Sequence, residues 1–142
     1  MIGTTMPCGV LIAERRHVER VASGVAYLRS NDTTLMGSRN GHAVLALWAR
    51  LNGHGHEGFR RDAVRCVERA RALADSLGGA GVPVLLNLWS LTVVFPQPDE
   101  AIVRRYQLAC NGGEAHAIVM PSVTETLLAR FSADYLRWWA AQ

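Results

Sequence analysis

The apolar positions of this chain change spacing several times, and each change marks an element. Pro7-Cys8-Gly9-Val10-Leu11-Ile12-Ala13 is a short apolar run between turn residues and predicts a buried strand. From Glu14 to Val25, Val18, Val21, Ala22 and Val25 recur at helical spacing among charged residues. The pattern then breaks into a polar, glycine-containing loop from Ala26 to Gly41, a natural place for ligand or partner contacts. Asn40 to Leu51 predicts a helix capped by Asn40, with Val44, Leu47, Trp48 and Leu51 on one stripe. Gly53-His54-Gly55-His56 is expected to end it.

A longer helix is predicted over Glu57 to Leu77, its apolar stripe being Phe59, Ala63, Cys66, Val67, Ala70, Leu73, Ala74 and Leu77. Gly78-Gly79-Ala80-Gly81 stops it, since glycine readily takes the left-handed conformation that closes a helix. Val82 to Leu88 and Leu91 to Phe95 read as two strands of a hairpin, the second stopped by Pro96-Gln97-Pro98. Asp99 to Cys110 reads as a helix whose acidic start and later Arg104 and Arg105 suit the helix dipole. Ala115 to Met120 is a further strand. Ser122-Val123-Thr124-Glu125 has the form of a capping box, opening a last helix that carries Leu128, Phe131, Tyr135 and Trp138.

From Glu57 onward the order helix, two strands, helix, strand, helix predicts a small sheet covered on one face by helices, an α+β unit. Residues before Asn40 offer too few elements to close a core of their own, so they read as the tail of something larger. Trp139 falls off the last helix's stripe and is expected to meet another domain or subunit.

Composition changes this picture in one respect. The length of 142 residues suits one domain, and no apolar run approaches the length needed to span a membrane. The N-terminus lacks the basic start and long apolar stretch of a signal peptide, so a cytoplasmic location is expected. The formal charge of +3 is spread among acids: Asp62/Arg65, Arg65/Glu68 and Arg71/Asp75 are spaced for pairing on a helix, which argues against nucleic acid as a partner. Cys8, Cys66 and Cys110 form no metal or redox motif and each reads as a small buried residue. His54 and His56 make a His-x-His pair without a third ligand, so no metal is expected. The unusual feature is that all 15 residues of the Lys+Arg count are arginine.

The segment Asp32-Thr33-Thr34-Leu35-Met36-Gly37-Ser38-Arg39-Asn40-Gly41-His42 resembles the stretch Asp-x-Thr-(Ile/Leu)-x-Gly-Ser-Arg-Asn-Gly-His of the pyridoxal-phosphate (PLP) decarboxylases, of the group II type, that act on histidine or serine. Further motifs match in order: Met1 to Val10, Leu47-Trp48, Gly58-Phe59, Leu91 to Phe95, Arg104 to Cys110, and Ala117 to Pro121. Thr5 stands where that family usually has proline. The resemblance implies an α/β fold: the C-terminal part of a fold-type I, aspartate-aminotransferase-like enzyme. Residues 1–41 would be a remnant of the PLP-binding large domain, 42–56 a linking helix and loop, and 57–142 the small C-terminal α+β domain.

It also implies a carboxy-lyase working as a homodimer on a small amino acid, L-histidine or L-serine, with PLP as electron sink. In the family a lysine holds the cofactor covalently, and it directly precedes the position matched by Met1. The resemblance assigns Ser38 to the cofactor phosphate and Arg39 to phosphate or substrate carboxylate, against local readings as a turn hydroxyl and a loop-fixing ion pair, for instance to Asp32. His42 has two readings, a substrate-facing acid/base group and a structural residue at the helix start. No residue here is assigned as catalytic. Arginine stays protonated and cannot replace the lysine, so the chain alone is expected to be inactive. Three origins are open: a reading frame started at the methionine after the lysine, a split enzyme whose second chain carries the lysine, or a non-catalytic binding protein derived from the fold.

Overall fold

Residues 3–25, 30–32 and 40–142 are described by a computed structural model of the chain. They fall into two units, Ile2–Gly55 and His56–Gln142.

The first unit holds α1 (Arg15–Arg20), β1 (Ser23–Val25), β2 (Ser30–Asp32) and the opening turns of α2 (Gly41–Gly78). The strand expected at Pro7 to Ala13 does not form: Leu11 and Ile12 are 93% and 91% exposed. A strand needs a hydrogen-bonded neighbour, and β1 and β2 are already paired with each other, antiparallel, Ser23 opposite Asp32 and Val25 opposite Ser30. Cys8, expected buried, is exposed in the same stretch. The helix expected over Glu14 to Val25 stops at Arg20 because Val21 leaves helical geometry (φ −104°, ψ 0°) and the chain turns into β1. Of the predicted loop, Ser30–Asp32 is strand β2, and residues 26–29 and 33–39 lie outside the described residues. The stripe of the first helical segment is where the sequence put it, yet Val44, Trp48 and Leu51 are exposed. Among its described residues this unit buries none.

In the second unit α2 continues to Gly78, buries Gly58, Cys66, Ala70, Leu73 and Leu77, and ends where the glycines were expected to end it. The closure is a hydrogen bond from Val82 N–H to the Leu77 carbonyl (3.2 Å), with Gly81 at φ 80°. Ala63 of the predicted stripe is exposed. A three-stranded antiparallel sheet follows, of order β3 (Thr92–Pro96), β5 (Glu114–Ile118), β4 (Ala109–Asn111). Val82 to Leu88 is not the strand expected: a single bridge joins Leu85 to Val94. Pro83 has no N–H to extend that ladder, and Trp89 turns the chain with a left-handed backbone (φ 63°).

Helix α3 (Glu100–Tyr106) is capped by Asp99, whose carboxylate accepts from Ile102 N–H at 2.9 Å. It ends four residues before Cys110 because Gln107 is left-handed (φ 52°), which frees Ala109–Asn111 to form β4. Cys110 is therefore exposed on an edge strand rather than buried in a helix. Gly112 and Gly113, both at positive φ, make the tight turn to β5. Helix α4 (Glu125–Trp139) is capped by Thr124, accepting from Leu127 N–H at 3.1 Å, so the cap falls two residues after Ser122 and the expected capping box does not form, residue 127 being Leu.

Val93 and Phe95 of β3 and Ala115 of β5 point from one face of the sheet into the core. There they meet Leu73 and Leu77 of α2, Ile102 of α3, and Phe131 and Tyr135 of α4. Phe95 packs edge-on to Tyr135 (5.1 Å between centroids), as Tyr106 does to Phe131 (5.1 Å). Trp138 joins this core, and Trp139, expected to face elsewhere, is also half-buried against it. The two are adjacent in α4, about 100° apart around the helix, and their ring centroids lie 6.1 Å apart, so both large side chains reach the cluster.

Candidate functional site

The signature segment leads directly into α2. Asn40 caps that helix as predicted: its side-chain oxygen accepts from His42 N–H at 2.9 Å, and its carbonyl accepts from Ala43 N–H. His42 is thus fixed through its backbone at the second helical position, with an exposed ring. Ser38 and Arg39 lie outside the described residues. His54 and His56 flank Gly55, and His56 Nδ1 sits 3.2 Å from Glu57 Oε1. Among the described residues no three His, Cys, Asp or Glu side chains gather as metal ligands.

The second unit brings together groups that no local motif announced. Tyr106 donates its hydroxyl to Asp134 Oδ2 at 2.6 Å, and Arg105 (3.0 Å) and Arg137 (3.5 Å) flank the same carboxylate. The Tyr106 donor, aided by Arg105 and Arg137, holds Asp134 below the usual carboxylate range. Burial, and then the Asp134 bond, push the Tyr106 phenol up. These residues lie 28 positions apart, so only the folded packing of α3 on α4 could reveal the pair. Arg69 of α2 reaches Glu125 Oε1 (3.0 Å) and the Val123 carbonyl (3.1 Å) at the start of α4. Of the predicted helix pairs, Asp62 and Arg65 meet at 2.7 Å, while Arg71 lies over the Trp89 ring at 5.0 Å.

A cavity of about 290 Å³ opens beside the sheet, walled by Tyr106, Leu108, Val119, Leu127, Leu128 and Phe131. Gln107 and His116 are polar contributors, and no arginine lines it, so it has no cation for a phosphate. A second, open hollow of about 580 Å³ contains Arg71 and Asp75, but that arginine already covers Trp89. Neither offers an amine, because the 142 residues include no lysine. The sequence carries no lysine to anchor PLP, neither of these two hollows presents a phosphate cradle, and Ser38 and Arg39, the expected phosphate contacts, lie outside the described residues.

No family model matches the chain. Individual relatives do. It is 52% identical to serine decarboxylase 1 of Oryza sativa subsp. japonica over 124 residues, which is 87% of this chain and 26% of that protein. It is 40% identical to histidine decarboxylase of Solanum lycopersicum over 137 residues, 96% of this chain and 33% of the relative. Histidine decarboxylase of Pseudomonas entomophila (strain L48) is 42% identical over 121 residues, 85% of this chain and 30% of the relative. The chain therefore spans about a quarter to a third of the length of these curated relatives. Among solved structures, L-methionine decarboxylase from Streptomyces sp.590 superposes with a TM-score of 0.71 and 26% identity, covering 81% of this chain and 25% of that one. With the fold and the ordered motifs, these likenesses place the chain in the family of PLP-dependent group II amino-acid decarboxylases, with the likeness of a C-terminal portion of such proteins.

Proposed function

We propose that this chain forms the small-domain part of a PLP-dependent amino-acid carboxy-lyase acting on L-histidine or L-serine, and that a lysine outside these residues completes the centre. The lysine would come from a separate chain, the alternative to the homodimer that the family resemblance implies, since two copies of this chain would still carry no lysine. In this reading residues 1–41 belong to the cofactor domain, 42–56 link, and 57–142 are the small domain. When bound, PLP supplies the electron sink for loss of the carboxylate. This chain's own contribution is to bind and orient: Ser38 donates to the cofactor phosphate, Arg39 pairs with phosphate or substrate carboxylate, and His42 faces the substrate.

The observation that carries this reading is identity of 40–52% to serine and histidine decarboxylases across 83–96% of a chain without lysine. The unburied first unit supports it. Val10, Leu11 and Ile12, and then Val44, Leu45 and Trp48, expose apolar surface that a larger cofactor domain would cover.

The test uses the lysine-bearing N-terminal portion of the Pseudomonas entomophila histidine decarboxylase, cut where its likeness to this chain begins. Mixed with this chain and PLP, it is expected to co-elute and to release carbon dioxide from L-histidine or L-serine, while this chain alone releases none. In the mixture Arg39→Ala is expected to lower the rate at least about tenfold, as loss of a charged contact does. Turnover by this chain alone would remove the need for a lysine. Failure to co-elute would overturn the assembly, and co-elution without turnover would instead favour a non-catalytic binding protein.

A further inference from the structure

The sheet of the second unit has a bare edge. Its order β3-β5-β4 gives β4 a hydrogen-bonded neighbour on one side only, while β3 at the other edge is bridged through Val94 to Leu85. Gly112 and Gly113 make a two-residue turn, so Asn111 and Glu114 are the hydrogen-bonded pair beside it, and the N–H and C=O of Cys110 turn away from β5. Natural sheet edges are commonly blunted by charge or proline, and Gln107 to Gly113 has neither. The cavity of about 290 Å³ adjoins this edge, since Leu108 and Ala109 wall it together with Ile118, Leu127 and Leu128. No acid and no arginine lines it. A free edge beside an apolar cavity suits strand addition, in which main-chain hydrogen bonds hold an incoming segment and the cavity takes its side chain.

The sequence also supplies a segment of matching chemistry. Pro7 to Ala13 is apolar and uncharged and was expected to be a strand, yet it pairs with no strand among the described residues. Leu11 and Ile12 stand 93% and 91% exposed. After Pro7 every residue of the segment has an N–H to give. We propose that the β4 edge of one copy takes the Pro7-to-Ala13 segment of a second copy as an added strand. Successive side chains of a strand point to opposite faces, so one of Leu11 and Ile12 enters the cavity. The contact is heterologous, a donor segment on one copy and an acceptor edge on the other. It concerns copies of this chain alone and stands apart from the decarboxylase reading.

Two altered chains isolate the contact. One carries Leu11→Asp and Ile12→Asp, exposed positions outside the core, and so loses the donor. The other carries Cys110→Lys and Leu127→Glu, a charge on the edge and one at the cavity, and so loses the acceptor. Glutamate three residues after the Thr124 cap completes a capping box, so the second change leaves the start of α4 intact. Both chains also carry Leu45→Gln and Trp48→Gln, which removes association through the exposed helical stripe. Each is expected to sediment as a monomer by itself, and an equimolar mixture to form a heterodimer, because one donor then meets one acceptor. A mixture that stays monomeric would overturn the proposal. So would self-association that survives Leu11→Asp and Ile12→Asp undiminished, since copies would then meet through another face.

A fluorescent peptide of residues 6–14, with Cys8→Ser, covers the case in which the acceptor variant fails to fold. It is read against the chain carrying Leu11→Asp and Ile12→Asp, whose edge is unaltered. Anisotropy is expected to show saturable binding, and at least about tenfold weaker binding of the same peptide carrying those two substitutions. Equal binding of the two peptides, or binding of neither, would overturn the added strand.

Discussion

Tyr135 shows how one side chain ties the small domain together. It is fully buried, and its hydroxyl donates to the Pro96 carbonyl at 2.8 Å, joining the last helix to the end of β3. Burial pushes its phenol up to about 12, from 10.0. The folded state therefore holds this proton more tightly than the unfolded state does. The resulting stabilisation is complete below pH 10 and is lost as pH rises from 10 towards 12, on the order of 2–3 kcal/mol in all. Urea titrations across pH 9 to 12 are expected to show this decline, and Tyr135→Phe to remove Tyr135's share of it while costing about 1 kcal/mol at pH 7 for the lost hydrogen bond. A Tyr135→Phe protein with the parent's pH slope would contradict the assignment. Phe95→Ala is the harsher change: it empties a site touching both Phe131 and Tyr135 and is expected to cost about 3–5 kcal/mol, read as a lower urea midpoint.

At the scale of elements, the helices were legible, and so were the two ends of α2 and the start of α3, while the end of α3 and the cap of α4 were not. The α2 stripe Cys66, Ala70, Leu73, Leu77 and the α4 stripe Phe131, Tyr135 are buried as their 3.6-residue spacing predicts. The cap of α4 was misplaced because Ser122 and Thr124 are both good caps, and only backbone geometry chooses between them. Thr124→Ala is expected to lower stability by about 1 kcal/mol, and Ser122→Ala by less than about 0.5 kcal/mol. Thermal melts of the two variants decide it, and the reverse order would restore the Ser122 cap. Strand β4 was hidden inside a predicted helix. Asn111-Gly112-Gly113 is a hairpin signal that points to it, but the helical spacing of Ala101 to Tyr106 ran on past the left-handed Gln107.

Across the whole molecule the two units differ in burial. The second closes a core around Phe95, Phe131 and Tyr135, while the first buries none of its described residues. A thiol reagent should report this contrast: Cys8 and Cys110 are expected to react rapidly in the native protein, and Cys66 only after unfolding. Three fast thiols would mean that the α2 core is open in solution. The exposed stripe of the first helical segment has a consequence too. Trp48→Gln with Leu45→Gln is expected to reduce self-association of the isolated chain, measured by sedimentation at several concentrations. No change would place the association elsewhere.

The sequence by itself determined the kinship and the main chemical constraint. Ordered motifs and helical periodicity are local properties, readable without coordinates, and the lack of any lysine is a matter of composition. Local patterning could not decide whether Pro7 to Ala13 finds a strand partner, whether Trp139 joins the core, or where α3 gives way to β4. Each of those depends on which distant segment supplies a hydrogen bond or an apolar surface. The Tyr106–Asp134 bond belongs to tertiary structure for the same reason, since it needs two helices brought side by side. The break at Gly55, by contrast, was legible: Gly53-His54-Gly55-His56 was expected to end the first helical segment, and Gly55 is where the helix is interrupted.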